Sequence, residues 1–303
     1  MTVEQSYALE ALAPPRRRAG MLWAWLRVLA RFCRRKPLGA LGGLLILTMI
    51  AAAALATLVP ADPLEQHATE RLKPPSPAHW FGTDEAGRDI FSRVVWGSRT
   101  SLQVGVIAVA VGTAGGTLIG LLTGYVGGRV DMVVQRLMDS LMAFPALVLA
   151  MIIAAMFGRN ISLVMIAIGI VLIPGTNRVV RGAVLGVKPN PFVEAARVLG
   201  ASDARILALH IFPNVLPSIL ILATAALGNA ILIESSLSFV GLGTPPPQPS
   251  WGRMLSGAGR LYFETAPWMA VAPGMAITLG VLGFNLLGDA LRDVWDPRLR
   301  GAR

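Results

Sequence analysis

Two stretches of this chain carry no charged side chain at all: Leu38 to Pro60, 23 residues, and Ser101 to Gly128, 28 residues. A helix crosses the roughly 30 Å hydrocarbon core of a bilayer with about 20 apolar residues. Four more segments have the same apolar character: Leu137–Gly158, Asn160–Asn177, Ile211–Ile233 and Ala266–Gly288. Six membrane spans are therefore expected. Composition agrees, because 15% charged residues against 54% hydrophobic ones cannot coat a soluble domain of 303 residues. The first apolar run exceeds the 7 to 15 residues of a secretory leader core and follows 37 others, so it reads as a retained helix. Several spans contain Gly and Pro, which bundled membrane helices tolerate.

Lys and Arg set the expected orientation. Residues 1–37, 129–136, 178–210 and 289–303 together hold 19 basic residues, and the alternate segments hold 8. Both termini are thus expected in the cytoplasm. The net charge of +10 follows from this bias and suits attraction to anionic membrane lipid. No nucleic-acid partner is expected, because the basic residues are not interleaved with aromatics on one face. Residues 22–36 mix apolar and basic positions at helical spacing. Two readings stay open there: an amphipathic helix on the inner surface, or a solvated basic tail.

Cys33 is the sole cysteine, so no intrachain disulfide can form, and His67, His79 and His210 are too scattered to suggest a metal centre. Thr83 with Asp84 and Glu85 suggests a helix start. Ile90, Phe91, Val94 and Val95 share a face, as in a short interfacial helix before the second span. That span carries Gly112, Gly116, Gly120 and Gly124, a stripe allowing close approach of another helix, from this chain or a second one. Two carboxylates fall at membrane depth or its edge, Asp139 and Glu234. Such groups usually face a bundle interior or cavity, and for each a structural hydrogen bond and a transport role both remain open. The loop from Thr244 to Gly252 is stiffened by prolines.

Between the fourth and fifth apolar segments lies a polar helical stretch, FVEAARVLGASDARILALHIFP, residues 192–213. Pro191 and Glu194 suit a helix start, Ala195 and Ala196 favour helix, Gly200 interrupts it, and Ser202 with Asp203 can cap a second helix to His210. Two short helices bent at a glycine are expected to project from the membrane. Small residues around the bend would let a partner pack against the backbone.

This stretch resembles the EAA loop of the membrane subunits of ABC importers, through Glu194, Ala195, Ala196, Gly200 and Ile211-Phe212-Pro213. Phe212 replaces the family's usual leucine. The strings WFGTDEAGRDIFSRVVWGSRTSL, MDSLMAFPALVLA, SLSFVGLGTPPPQPSWGRML and FNLLGDALRDVWDPRL resemble blocks of the dipeptide, oligopeptide and nickel permeases, most closely the C-type subunit. The resemblance implies an all-α membrane protein of about six transmembrane helices, the type I ABC importer permease fold, in a bacterial cytoplasmic membrane. Its divisions would be a tail (1–37), a first transmembrane helix (38–60) and an outer loop (61–100). A five-helix core (101–290) carrying a coupling loop (189–213), and a short tail (291–303), would follow. It further implies a second homologous permease, two ABC ATPase subunits and an extracytoplasmic solute-binding protein as partners. Glu194, Ala195, Ala196, Arg197, Gly200, Ala201 and Asp203 would couple to an ATPase subunit. Phe144 and Pro145, near Asp139, become candidates for the pathway or for helix packing.

Independently of that resemblance, the chain contains no Gly-Lys dipeptide, so it has no P-loop. ATP and Mg would sit on partner subunits, with no cofactor or metal on this chain. A gradient-driven transporter would show two inverted halves with broken helices and midplane ion ligands, and neither is visible. A membrane-embedded enzyme would need a nucleophile or metal cluster with a partner base. The spans offer none.

Overall fold

The computed structural model describes residues 30–157, 160–256 and 261–295. The amphipathic helix expected over 22–36 lies mostly outside them; residues 30–35 are helical. Pro37 opens helix α1 (Pro37–Leu55), its missing N–H costing nothing in a first turn. A tighter turn, Ala56–Leu58, closes it. Next come α2 (Ile90–Val126), α3 (Gly128–Met142), α4 (Ala146–Phe157), α5 (Ile161–Val187) and α6 (Pro191–Val198). Helix α7 (Asp203–Ile206) runs through a π turn into α8 (Phe212–Val240), followed by α9 (Trp251–Leu255) and α10 (Trp268–Trp295). Among the described residues five helices are long and apolar enough to cross a membrane, and six spans result if the bent pair α3–α4 counts as one.

The structure corrects several expected boundaries. No separate interfacial helix precedes the second span: Ile90, Phe91, Val94 and Val95 belong to the first turns of the 37-residue α2. The helix start is not at Thr83. Asp84 instead accepts the Ala86 and Arg88 amides at 2.8 and 2.9 Å, folding 83–89 into a knot, and Asp89 caps α2 by accepting from Ser92 N at 2.7 Å. The third apolar segment is not one straight helix, because α3 and α4 meet at 92° around Ala143-Phe144-Pro145. Pro145 lacks the N–H that would continue the ladder. The fourth span runs ten residues beyond Asn177, to Val187.

Helices α2 and α5 pack parallel along the glycine stripe. A Cβ on Gly112 would lie 2.9 Å from Gly169 O, and one on Gly116 2.7 Å from Ile173 O. On Gly120 it would lie 2.8 Å from Asn177 O, and on Gly124 2.9 Å from Val184 Cβ. The partner of the stripe is therefore this chain's own α5. Helix α1 lies equally close to α10 but antiparallel to it, Gly42 meeting Gly283 O and Leu287 N. Apolar cores follow from these contacts. One, around Val104, Ile168 and Leu237, joins α2, α5 and α8, and another, around Val180, Val193, Ile206 and Val215, lies under α6 and α7.

Candidate functional site

The bundle has two ends. Helix α2 begins at the far end, beside the 241–250 loop, and finishes at the near end, where α6 and α7 sit. At the near end, α6 buries Val193 and Ala196 against Val180, Val184, Ile206 and Ile211. This leaves Glu194, Ala195 and Arg197 on the open face. Ala196 thus packs within its own chain and is not presented to a partner. Val198 and Leu199 are 83% and 86% exposed at the tip. Single-letter patterning did not mark them, because a short helix that ends at once shows too little periodicity to tell its two faces apart.

The tip ends by a specific device. Ala201 N donates to Ala196 O and Gly200 N to Arg197 O, both at 3.0 Å. This paired closure requires a left-handed residue, and Gly200 supplies it at φ +80°. Nothing lies within 4 Å of where its Cβ would be. Backbone conformation, not crowding, therefore calls for glycine here. Ala201 is half-buried, and Ser202 precedes α7 without a side-chain cap. The second helix is not a separate short element, since α7 continues into α8.

Tyr125, in the last turn of α2, joins these pieces. Its hydroxyl donates to Asp203 Oδ1, and its backbone carbonyl accepts from Lys188 Nζ at 2.6 Å. The Lys188 ammonium also lies 5.5 Å from the Tyr125 ring centroid. Hydrogen bonding to Tyr125 holds the Arg197 guanidinium above its ordinary pKa. A groove lined by Leu185, Lys188, Pro189, Glu194 and Arg197 opens beside this junction. Sequence reading had placed neither Tyr125 nor Lys188 at the site.

The remaining candidates lie elsewhere. Asp139 accepts from Arg178 Nη2 at 2.9 Å, the outermost rung of a polar ladder between α3 and α5. Its other rungs are Asn177 to Gln135 at 3.0 Å and the two-pronged Arg181–Asp131 pair at 2.6 Å. Phe144 is half exposed at the α3–α4 break, beside Pro145. Glu234 is fully buried near the far end of α8. It accepts from Ser238 Oγ at 2.7 Å and Thr244 Oγ1 at 3.2 Å, tying the 241–250 loop to α8. The candidate residues of 194–203 thus gather at one end, and Glu234 does not join them. Among the described residues no cluster of three or more metal-ligating side chains occurs.

A bundle of five or six long apolar helices, with one polar helix held against its end, is a multi-pass membrane protein. Residues 116–301 match the family described as binding-protein-dependent transport system inner membrane component, and the chain belongs to that family. It is 41% identical over 268 residues to the dipeptide transport system permease protein DppC of Alkalihalophilus pseudofirmus, covering 88% of each chain. It is 46% identical over 279 residues to the glutathione transport system permease protein GsiD of Shigella flexneri, covering 91% of each. Against GsiD of Escherichia coli O157:H7 the identity is 45% over 279 residues, with 91% of each chain covered. The chain is accordingly a permease subunit of an ABC importer, a membrane component and not itself the catalyst.

Proposed function

We propose that residues 189–213 dock on a cytoplasmic ABC ATPase subunit and pass its ATP-driven closure to the membrane helices. The observation that carries this reading is the α6 tip: two nearly fully exposed apolar side chains, Val198 and Leu199, on a helix whose other face is locked into the bundle. Exposed apolar groups beside polar ones mark a protein contact. Glu194, Ala195, Arg197 and Gly200 share that tip, and Asp203 anchors it from behind. The complete assembly would comprise this chain, a second homologous permease, two ATPase subunits holding ATP and Mg, and an extracytoplasmic solute-binding protein. The cargo is a peptide or a related small solute, as the names of the similar permeases suggest. The same reading puts both termini in the cytoplasm of a bacterial cell.

Affinity purification of the tagged chain in mild detergent tests the proposal. A second permease and P-loop ATPase subunits should copurify, and Val198→Asp with Leu199→Asp should lose the ATPase while keeping the second permease. Recovery of the chain without any ATPase would overturn it.

A further inference from the structure

Tyr125 is 7% exposed, yet it holds polar contacts with two separate elements and packs against a third. Its hydroxyl reaches Asp203 at the start of α7, and its carbonyl receives Lys188 just past the end of α5. Its ring belongs to the same core cluster as Val193 and Ala196 of α6 and Ile206 of α7. Helix α6 therefore cannot shift without pulling on the last turn of α2. That turn is in turn joined to α5, because Gly112, Gly116, Gly120 and Gly124 leave no space between the two backbones. Gly127 and Gly128 have φ of +71° and +62°, with nothing within 4 Å of either Cβ position, so α3 is attached through two open left-handed glycines. Displacement of the loop would thus be passed to α2 and α5 as one body, and through the Asp131–Arg181 and Gln135–Asn177 pairs on to α3.

We infer that Tyr125 is the positioning residue of the coupling loop, fastening α6 and α7 to the rigid α2–α5 pair so that movement of a docked ATPase reaches the membrane helices. This rests on the docking reading above. A packed element with two arrangements can convert a small shift at such a joint into a change of the whole bundle.

The test uses the complete transporter in lipid nanodiscs, with its own ATPase subunits and binding protein. Two quantities are read: the ATPase recovered with the permease, and the ratio of binding-protein-stimulated to basal ATP hydrolysis. Tyr125→Phe keeps the ring and removes only the hydroxyl. It should leave ATPase recovery unchanged and lower the stimulation ratio about tenfold, equivalent to about 1.4 kcal/mol of coupling. Asp203→Ala removes the same bond from its exposed side and should lower the ratio alike, and the double variant should be no worse than either single one. Asp203→Asn, which keeps an acceptor oxygen, should retain most of the stimulation. A purely structural role would reduce the amount of complex and leave the ratio intact, and that result overturns the inference. So does a wild-type ratio in Tyr125→Phe, or additive losses in the double variant. Absence of ATPase from the wild-type preparation would instead overturn the docking reading on which the inference stands.

Discussion

Among the described residues Glu234 forms no ion pair, and its carboxyl accepts from the hydroxyls of Ser238, Thr244 and, at 3.5 Å, Ser235. Removing it leaves those groups buried without a partner, at a cost of about 1–3 kcal/mol for an orphaned polar group. Glu234→Leu should therefore lower the melting temperature in detergent and open the 241–250 loop to protease, whereas Glu234→Gln should stay close to wild type. Equal melting curves for Leu and wild type would show the network to be dispensable. The glycine stripe gives a second contrast at this scale. A Cβ at Gly116 would sit 2.7 Å from Ile173 O, while Gly175 on α5 has nothing within 4 Å. Gly116→Leu should destabilise the fold by about 1–3 kcal/mol through overpacking. Gly175→Ala should leave the melting temperature unchanged or slightly raised, since alanine is the better helix former.

At the scale of elements, α6 is eight residues long and would not persist alone. Its shape depends on the closure at Gly200 and on the core beneath Val193 and Ala196. Gly200→Ala imposes a left-handed conformation on a residue with a Cβ, a strain of roughly 1–2 kcal/mol. The expected result is partial fraying of the α6 tip, seen as faster amide exchange over 197–201 and weaker ATPase recovery. Unaltered exchange there would show that the turn does not depend on glycine. Helices α3 and α4 make the opposite case. Their 92° break leaves backbone groups without a continuous ladder. Irregular backbone at membrane depth is tolerated against protein or a water-filled cavity, not against lipid. The charged ladder Asp131–Arg181 and Asp139–Arg178 along α3 and α5 suits the same surroundings.

For the whole molecule, the orientation of the bundle rests on charge bias, and Cys33 offers a direct reading of it. It is the sole cysteine and is exposed just before α1. A membrane-impermeant maleimide should label it in inside-out vesicles and not in intact spheroplasts; the reverse pattern would place the N-terminus outside. Hydropathy and charge add up residue by residue along a chain, so the apolar spans, the bias of Lys and Arg, and the polar stretch at 192–213 could be read directly from sequence. The blocks shared with the permease family are equally linear. Other features depend on what lies opposite. That the glycine stripe meets α5 of its own chain, that Ala196 faces inward while Val198 and Leu199 face out, and that the third apolar segment folds back at Phe144 are consequences of contacts between distant residues. Tyr125 is the clearest case: nothing local distinguishes a tyrosine at the end of an apolar helix, and only packing brings Lys188, Arg197 and Asp203 around it. Sequence by itself determined which parts of this protein belong to the membrane and which form a polar loop outside it. Tertiary structure alone decided which side chains join them, because hydrophobicity is a property of single residues and a joint is a property of pairs.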